Sequence, residues 1–132
     1  METNANVQMI QKLYADFGKG DIASILDSLD TNVVWEEPIN TSIPYNGKRQ
    51  GKAAVQQFFA EVAQVHVSAF EPKDYLATGD RVVALGSWTG TVKSTGKTFQ
   101  SDWAMVWTVQ NGKITGYTAY EDTAAVAAAF QA

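Results

Sequence analysis

Val33-Val34-Trp35-Glu36-Glu37-Pro38 places a carboxyl group directly before a proline, at the end of a β-prone run. Strand alternation sends Val33, Trp35 and Glu37 to one face and Val34 and Glu36 to the other. The tryptophan-bearing face is the one to bury, so Glu37 is expected at its edge among apolar neighbours. A carboxyl group that loses water on one side is pushed toward its neutral form, and its pKa rises into a range useful for moving protons. A strand-end glutamate in solvent is the plainer alternative, and spacing alone leaves both open.

Composition limits what else the chain can do. It has no cysteine, which removes thiolate and disulfide chemistry. His66 is the only histidine, so a histidine-based metal cluster lacks ligands, and neither metal nor cofactor is expected. His66 falls where a helix gives way to a strand, and the expectation there is solvent exposure rather than a second proton carrier. The net charge is −4 and the arginines are Arg49 and Arg81 alone, so no basic cluster invites nucleic acid or an anionic membrane. The stretch from Met1 to Asn6 is polar, and the run Ala124 to Phe130 is too short to span a bilayer. The expectation is a soluble, cytoplasmic protein of one domain, residues 1–132, 45% hydrophobic, able to bury about two thirds of its unfolded surface.

The elements that would position Glu37 follow from periodicity. Val7, Ile10, Leu13, Tyr14 and Phe17 recur at helical spacing, and Gly18 and Gly20 end that helix. Asp21 can cap a second helix carrying Ile22, Ile25, Leu26 and Leu29. Residues 38–51 hold two prolines, Asn46-Gly47 and Gly51, and read as a long loop of the kind that borders sites. Val55, Phe58, Phe59 and Val62 predict a third helix over 52–65. Period two then takes over, with strands at about 67–77, 81–92, 98–110 and 114–120 joined by Gly79-Asp80, Ser94 to Gly96 and Asn111-Gly112. Glu121-Asp122-Thr123 caps a closing alanine-rich helix. Helices first and a meander afterwards predict an α+β fold with the helices on one face of a curved sheet.

Within the 98–110 strand, Phe99, Ser101, Trp103, Met105 and Trp107 share one side, and Gln100, Asp102, Ala104, Val106 and Thr108 share the other. The bulky side reads as core or a subunit interface. The mixed side, with Asp102 beside the small Ala104, is expected to line a cavity. Trp35 and Trp88 could stack on a flat ligand or simply fill core, and Tyr45 on the long loop could close over a site or lie on the surface.

The order of elements and several motifs resemble the nuclear transport factor 2-like superfamily, in its SnoaL-like and ketosteroid-isomerase-like branch. The motifs are Gly20-Asp21, the strand ending in Pro38, Arg49-Gln50-Gly51-Lys52-Ala53-Ala54, Asn111-Gly112-Lys113-Ile114 and Tyr120-Glu121-Asp122-Thr123. The resemblance covers essentially the whole chain. It implies a cystatin-like cone: three N-terminal helices on a strongly curved, mainly antiparallel sheet, a short C-terminal helix, and an apolar pocket inside. It also implies that Glu37-Pro38 occupies the place of the isomerases' acid–proline pair, with glutamate for aspartate.

The isomerases' tyrosine donor falls on Leu13, one place from Tyr14, and their second donor falls on Ala104, two residues after Asp102. Steroid isomerisation is thereby disfavoured. The aspartate–arginine–aspartate set of related epoxide hydrolases is not matched, because its last-strand position falls on Ala119. The SnoaL-like cyclases agree best in layout. By the same resemblance, Tyr117, Ala119 and Glu121 face inward, while Asp122 caps the last helix.

The resulting expectation is a pocket for a neutral or weakly polar small molecule, with Glu37 as general base and Asp102 and Tyr14 as hydrogen-bonding partners. Trp35, Tyr45, Trp88, Ala104, Tyr117 and Glu121 would contact the ligand, and two chains would pair through the outer sheet face. The competing expectation is a non-catalytic ligand-binding or dimerisation module of the same fold.

Overall fold

The computed structural model describes residues 2–132, and side chains from residue 5 onward. Helix α1 (Glu2–Gly18) is followed by α2 (Ile22–Asp27), whose cap Asp21 accepts a hydrogen bond from the Ser24 N–H at 3.1 Å. Then come β1 (Leu29–Glu36), β2 (Lys48–Gln50), α3 (Lys52–Val62), β3 (Val65–Thr78), β4 (Arg81–Val92), β5 (Thr98–Gln110), β6 (Lys113–Glu121) and α4 (Thr123–Phe130). The fold is α+β. Among the described residues, four helices pack with one curled, unclosed sheet in the order β2-β1-β6-β5-β4-β3. Every strand pair in it is antiparallel except β1 with β6.

Three boundaries differ from the periodicity reading. Leu29 opens β1 rather than closing α2, because Ser28 N–H and Oγ both bond the Ile25 carbonyl and end that helix. The 38–51 segment is not wholly loop: Lys48, Arg49 and Gln50 pair with Glu36, Trp35 and Val34 as an edge strand. Helix α3 ends at Val62, and the next strand already starts at Val65. Short polar edge strands carry little hydrophobic alternation, which is why β2 leaves no signature in the sequence.

Curvature decides which side chains face the helices. The β3–β4 ladder shifts register between Val67 and Ala69 and again between Pro72 and Asp74. Each shift changes the phase of alternation, so that Phe70 and then Tyr75 reach the ring of Tyr14 on α1, at centroid distances of 5.6 and 6.4 Å. Opposite the second shift lies Gly86, which pairs with Pro72 on β3 and Trp103 on β5. A Cβ there would stand 2.4 Å from the Glu71 carbonyl oxygen and 2.5 Å from the Trp103 ring. Only glycine lets the indole lie across β4 at the bend.

Gly86→Ala is therefore expected to destabilise the fold by about 1–3 kcal/mol, since the backbone oxygen on one side cannot yield. Denaturant unfolding followed by tryptophan emission measures this; unchanged stability would mean that the sheet flattens freely at that point.

Candidate functional site

Between the concave sheet face and helices α1 and α3 lies a cavity of about 70 Å³. Its walls are mostly aromatic and include all four tryptophans of the chain, Trp35, Trp88, Trp103 and Trp107. Phe58 and Phe59 enter from α3, and Leu13, Tyr14 and Phe17 from α1. The space is below that of an engineered apolar cavity of about 150 Å³ that admits benzene, so a ring-sized guest requires side chains to move.

Glu37 follows the last residue of β1, and its N–H bonds the Gly47 carbonyl at 3.0 Å, which closes the 38–47 loop at its base. The carboxyl group is buried in the cavity wall. Tyr117 Oη donates to Glu37 Oε2 at 2.6 Å, and the same tyrosine packs tilted against Trp35, with centroids 4.0 Å apart and planes at 32°. Parallel pairing of Trp35 with Tyr117 brings these groups together across β1 and β6. Burial pushes the Glu37 pKa up to about 8; the Tyr117 hydroxyl and the Arg49 charge oppose that rise, and the nearby Glu121 charge adds to it.

Arg49 reaches this neighbourhood because β2 pairs it with Trp35. Its guanidinium forms an ion pair with Glu61 on α3 and donates to the Ala54 carbonyl at 3.3 Å and the Tyr45 carbonyl at 3.5 Å. Those bonds pin the loop that carries Tyr45. Tyr45 is buried in the cavity wall, edge-on to Phe58 and to Phe130 of α4, each at 5.9 Å between centroids.

At the far end of β6, Glu121 Oε1 accepts from Trp88 Nε1 at 3.0 Å. Burial raises the Glu121 pKa to about 7, against the pull of the Trp88 N–H and with help from the Asp122 charge. Asp122 itself caps α4 by accepting from the Ala125 N–H at 3.1 Å. Tyr14 is buried, and its Oη accepts from Trp107 Nε1 at 2.9 Å and donates to Met105 Sδ at 3.2 Å. A thioether is a weak acceptor, so a ligand oxygen would readily take over that proton.

The cavity thus gathers Glu37, Tyr14, Trp35, Tyr45, Trp88, Tyr117 and Glu121. It does not gather Asp102 or Ala104. Asp102 is exposed, and both residues lie on the convex side, because in β5 it is the bulky set that faces the helices. The expectation that the small, mixed side lines the cavity is corrected accordingly. The sheet curls until its concave side can be filled only by large rings, and the space lies between those rings rather than beside small residues. His66 is exposed on β3. Trp103, Trp107 and Met105, on the bulky side of β5, line the cavity, and Arg49 stands close behind it; alternation in β5 separates the two faces but does not say which is concave.

Among the described residues, no three His, Cys, Asp or Glu side chains are placed to hold a metal ion, and no helix is long and apolar enough to cross a membrane.

This cone of helices laid on a curled sheet is the architecture of the nuclear transport factor 2-like proteins. The chain belongs within them to the SnoaL-like domain family, whose sequence profile matches residues 10–117. It is similar to a nuclear transport factor 2-like protein from Burkholderia xenovorans, with 35% identity, 98% of each chain covered and a TM-score of 0.88. It is also similar to TerC, co-crystallised with polyporic acid, at 27% identity over 96% of this chain and 98% of that one, with a TM-score of 0.82. A protein from Bacillus subtilis designated an isomerase shares 25% identity over 98% of this chain and 95% of its own, with a TM-score of 0.84. No protein curated for function matches the chain.

The raised pKa values carry a sign for stability. Glu37 and Glu121 hold their protons when folded in a range where the unfolded chain has released them, with pKa values of about 8 and about 7 against an ordinary value near 4.5. Their contribution is greatest below the ordinary value and is lost as pH rises through about 7 and then about 8. Glu37→Gln should leave the melting temperature almost unchanged near pH ~5 and raise it above pH ~8. Thermal melts across that range test this; a large loss at the acid end would make the carboxyl group structural.

Proposed function

We propose that the cavity binds a neutral or weakly polar organic molecule and that Glu37 moves a proton on it, in the manner of an isomerase, cyclase or hydrolase. No cofactor takes part in this reading. The observation that carries it is the burial of the Glu37 carboxyl group among aromatic rings, with its pKa raised to about 8 and Tyr117 bonded to one oxygen. A carboxyl group so placed exchanges its proton near neutral pH, as acid–base chemistry requires.

In the ionised form Glu37 takes a proton from carbon beside a carbonyl or, in the hydrolase case, from a water whose oxygen bonds the carbonyl carbon. The electron pair passes to the carbonyl oxygen, and Tyr14 Oη leaves the Met105 sulfur to hydrogen-bond the oxygen as it gains charge. The proton then returns from Glu37 to a different atom. Tyr14 takes the donor role alone, since Asp102 lies outside the cavity. The relative co-crystallised with polyporic acid supports an organic guest, and the one designated an isomerase supports proton transfer.

All four tryptophans line the cavity, so their emission reports occupancy. Screening carbonyl compounds by quenching, then assaying those that bind, tests the reading. Glu37→Gln should lower turnover about 10²–10⁴-fold with little change in binding. The wild-type rate should rise with pH through about 8. Tyr117→Phe removes the donor that favours the carboxylate and should move that rise to higher pH. A rate that falls through the same range would assign Glu37 as acid, and full turnover by Glu37→Gln would end the proposal. A non-catalytic binding module is the second reading, favoured by the fact that Tyr117 already partners Glu37; it would show quenching without turnover.

A homodimer completes the proposal. Leu85, Ala104 and Tyr120 lie side by side on the convex face, with Leu85 and Tyr120 exposed. Tyr120→Lys should convert a dimer to a monomer in sedimentation equilibrium, and an unchanged mass would place any pairing elsewhere.

A further inference from the structure

Trp35 Nε1, Tyr45 Oη, Trp103 Nε1 and Glu121 Oε2 are buried without a hydrogen-bond partner, and all four residues line the cavity. Interiors leave few polar atoms in that condition, and each asks for a reason. Glu121 is the most constrained of them. The bond from Trp88 reaches from β4 to β6 over β5 and fixes Oε1, which leaves Oε2 immobilised and unpaired in an aromatic surround. A carboxyl group held by one oxygen, with its other oxygen idle in a cavity, is a recognition point built before its ligand arrives.

We propose that Glu121 is the ligand-orienting acceptor of this cavity: Oε2 takes the hydrogen of a phenolic or enolic hydroxyl on a small flat ligand, while Trp88 positions the carboxylate through Oε1. The inference rests on the ligand-binding reading above and adds the ligand's chemical class. A flat body suits walls such as Phe70 stacked on Trp103, with centroids 5.0 Å apart and planes at 21°. A hydroxyl suits an ionised acceptor, which makes a hydrogen bond roughly twice as strong as a neutral one. The other charged or titratable groups acting at this point are Glu37 after β1, Tyr45 on the loop, Tyr117 on β6 and Asp122 at the start of α4. Of these, Tyr45 Oη is itself unpartnered and can serve the same ligand oxygen from the loop side.

Phenol and toluene, equal in shape and different in the hydroxyl, are the probes, titrated into the full chain by calorimetry. Above pH ~8 the wild type should bind phenol at least about tenfold more tightly than toluene, as expected of a hydrogen bond to a charged group. That preference should shrink as pH falls through about 7. Glu121→Leu should erase the preference while toluene binds at least as well. Glu121→Gln, which keeps the shape and the Trp88 bond, should leave a smaller preference that no longer depends on pH, and it serves if the leucine variant does not fold.

Trp88→Phe should shift the pH midpoint of the preference upward, because the N–H that favours the carboxylate is gone; a purely structural tryptophan would leave the midpoint in place. Equal affinity for phenol and toluene in the wild type, or an undiminished preference in Glu121→Gln, overturns the assignment while leaving the cavity as a binding site. Failure of both probes to bind overturns it together with the ligand-binding reading.

Discussion

The hydrogen bond from Tyr117 Oη to Glu37 Oε2, 2.6 Å long, holds a carboxyl group buried in the wall of an aromatic cavity. Burying an ionised carboxylate without compensation costs far more than a domain of this size can spare, so the group either neutralises or finds donors. Here it does some of both. The proton is retained to about pH 8, and the phenol hydroxyl serves one oxygen in either state. The geometry of that bond depends on β1 running parallel to β6, with Trp35 packed against the tyrosine that supplies the hydroxyl.

The rest of the cone supports this arrangement by enclosing it in rings. Tyr14 is the hub on the helix side, in contact with Phe70, Tyr75, Trp103 and Trp107 at centroid distances between 5.6 and 6.4 Å. Rings meeting at tilted and edge-on angles leave gaps that aliphatic side chains would fill, and those gaps are the cavity. The Arg49–Glu61 pair locks the loop carrying Tyr45 onto α3, and α4 closes the other side through Phe130. The polar atoms within these walls are few.

Membership in the SnoaL-like family establishes the scaffold and leaves the chemistry to the side chains, as for any widely reused fold. Two of those side chains, Glu37 and Glu121, stand in one cavity with different partners: a phenol hydroxyl for one and an indole N–H for the other. Burial raises the pKa of both groups, and each partner opposes that rise.

Local patterning carried much of this in the chain itself. Helical spacing marked α1 and α3, alternation marked the long strands, and Asn111-Gly112 marked the β5–β6 turn, where both residues adopt positive φ. The run from Val33 to Pro38 also placed Glu37 on the tryptophan side of its strand, because alternation is a property of the backbone. What the chain could not disclose was the sign of the sheet's curvature. Alternation divides β5 into the Trp103 face and the Asp102 face, but which one becomes concave depends on the register shifts in β3, on Gly86 and on the helices laid against it. The same holds for Glu121 and Trp88, thirty-three positions apart, and for Arg49 beside Trp35, which meet only through strand pairing. Contacts across strands are set by the closure of the whole sheet, so only the tertiary structure could decide which side chains share the cavity.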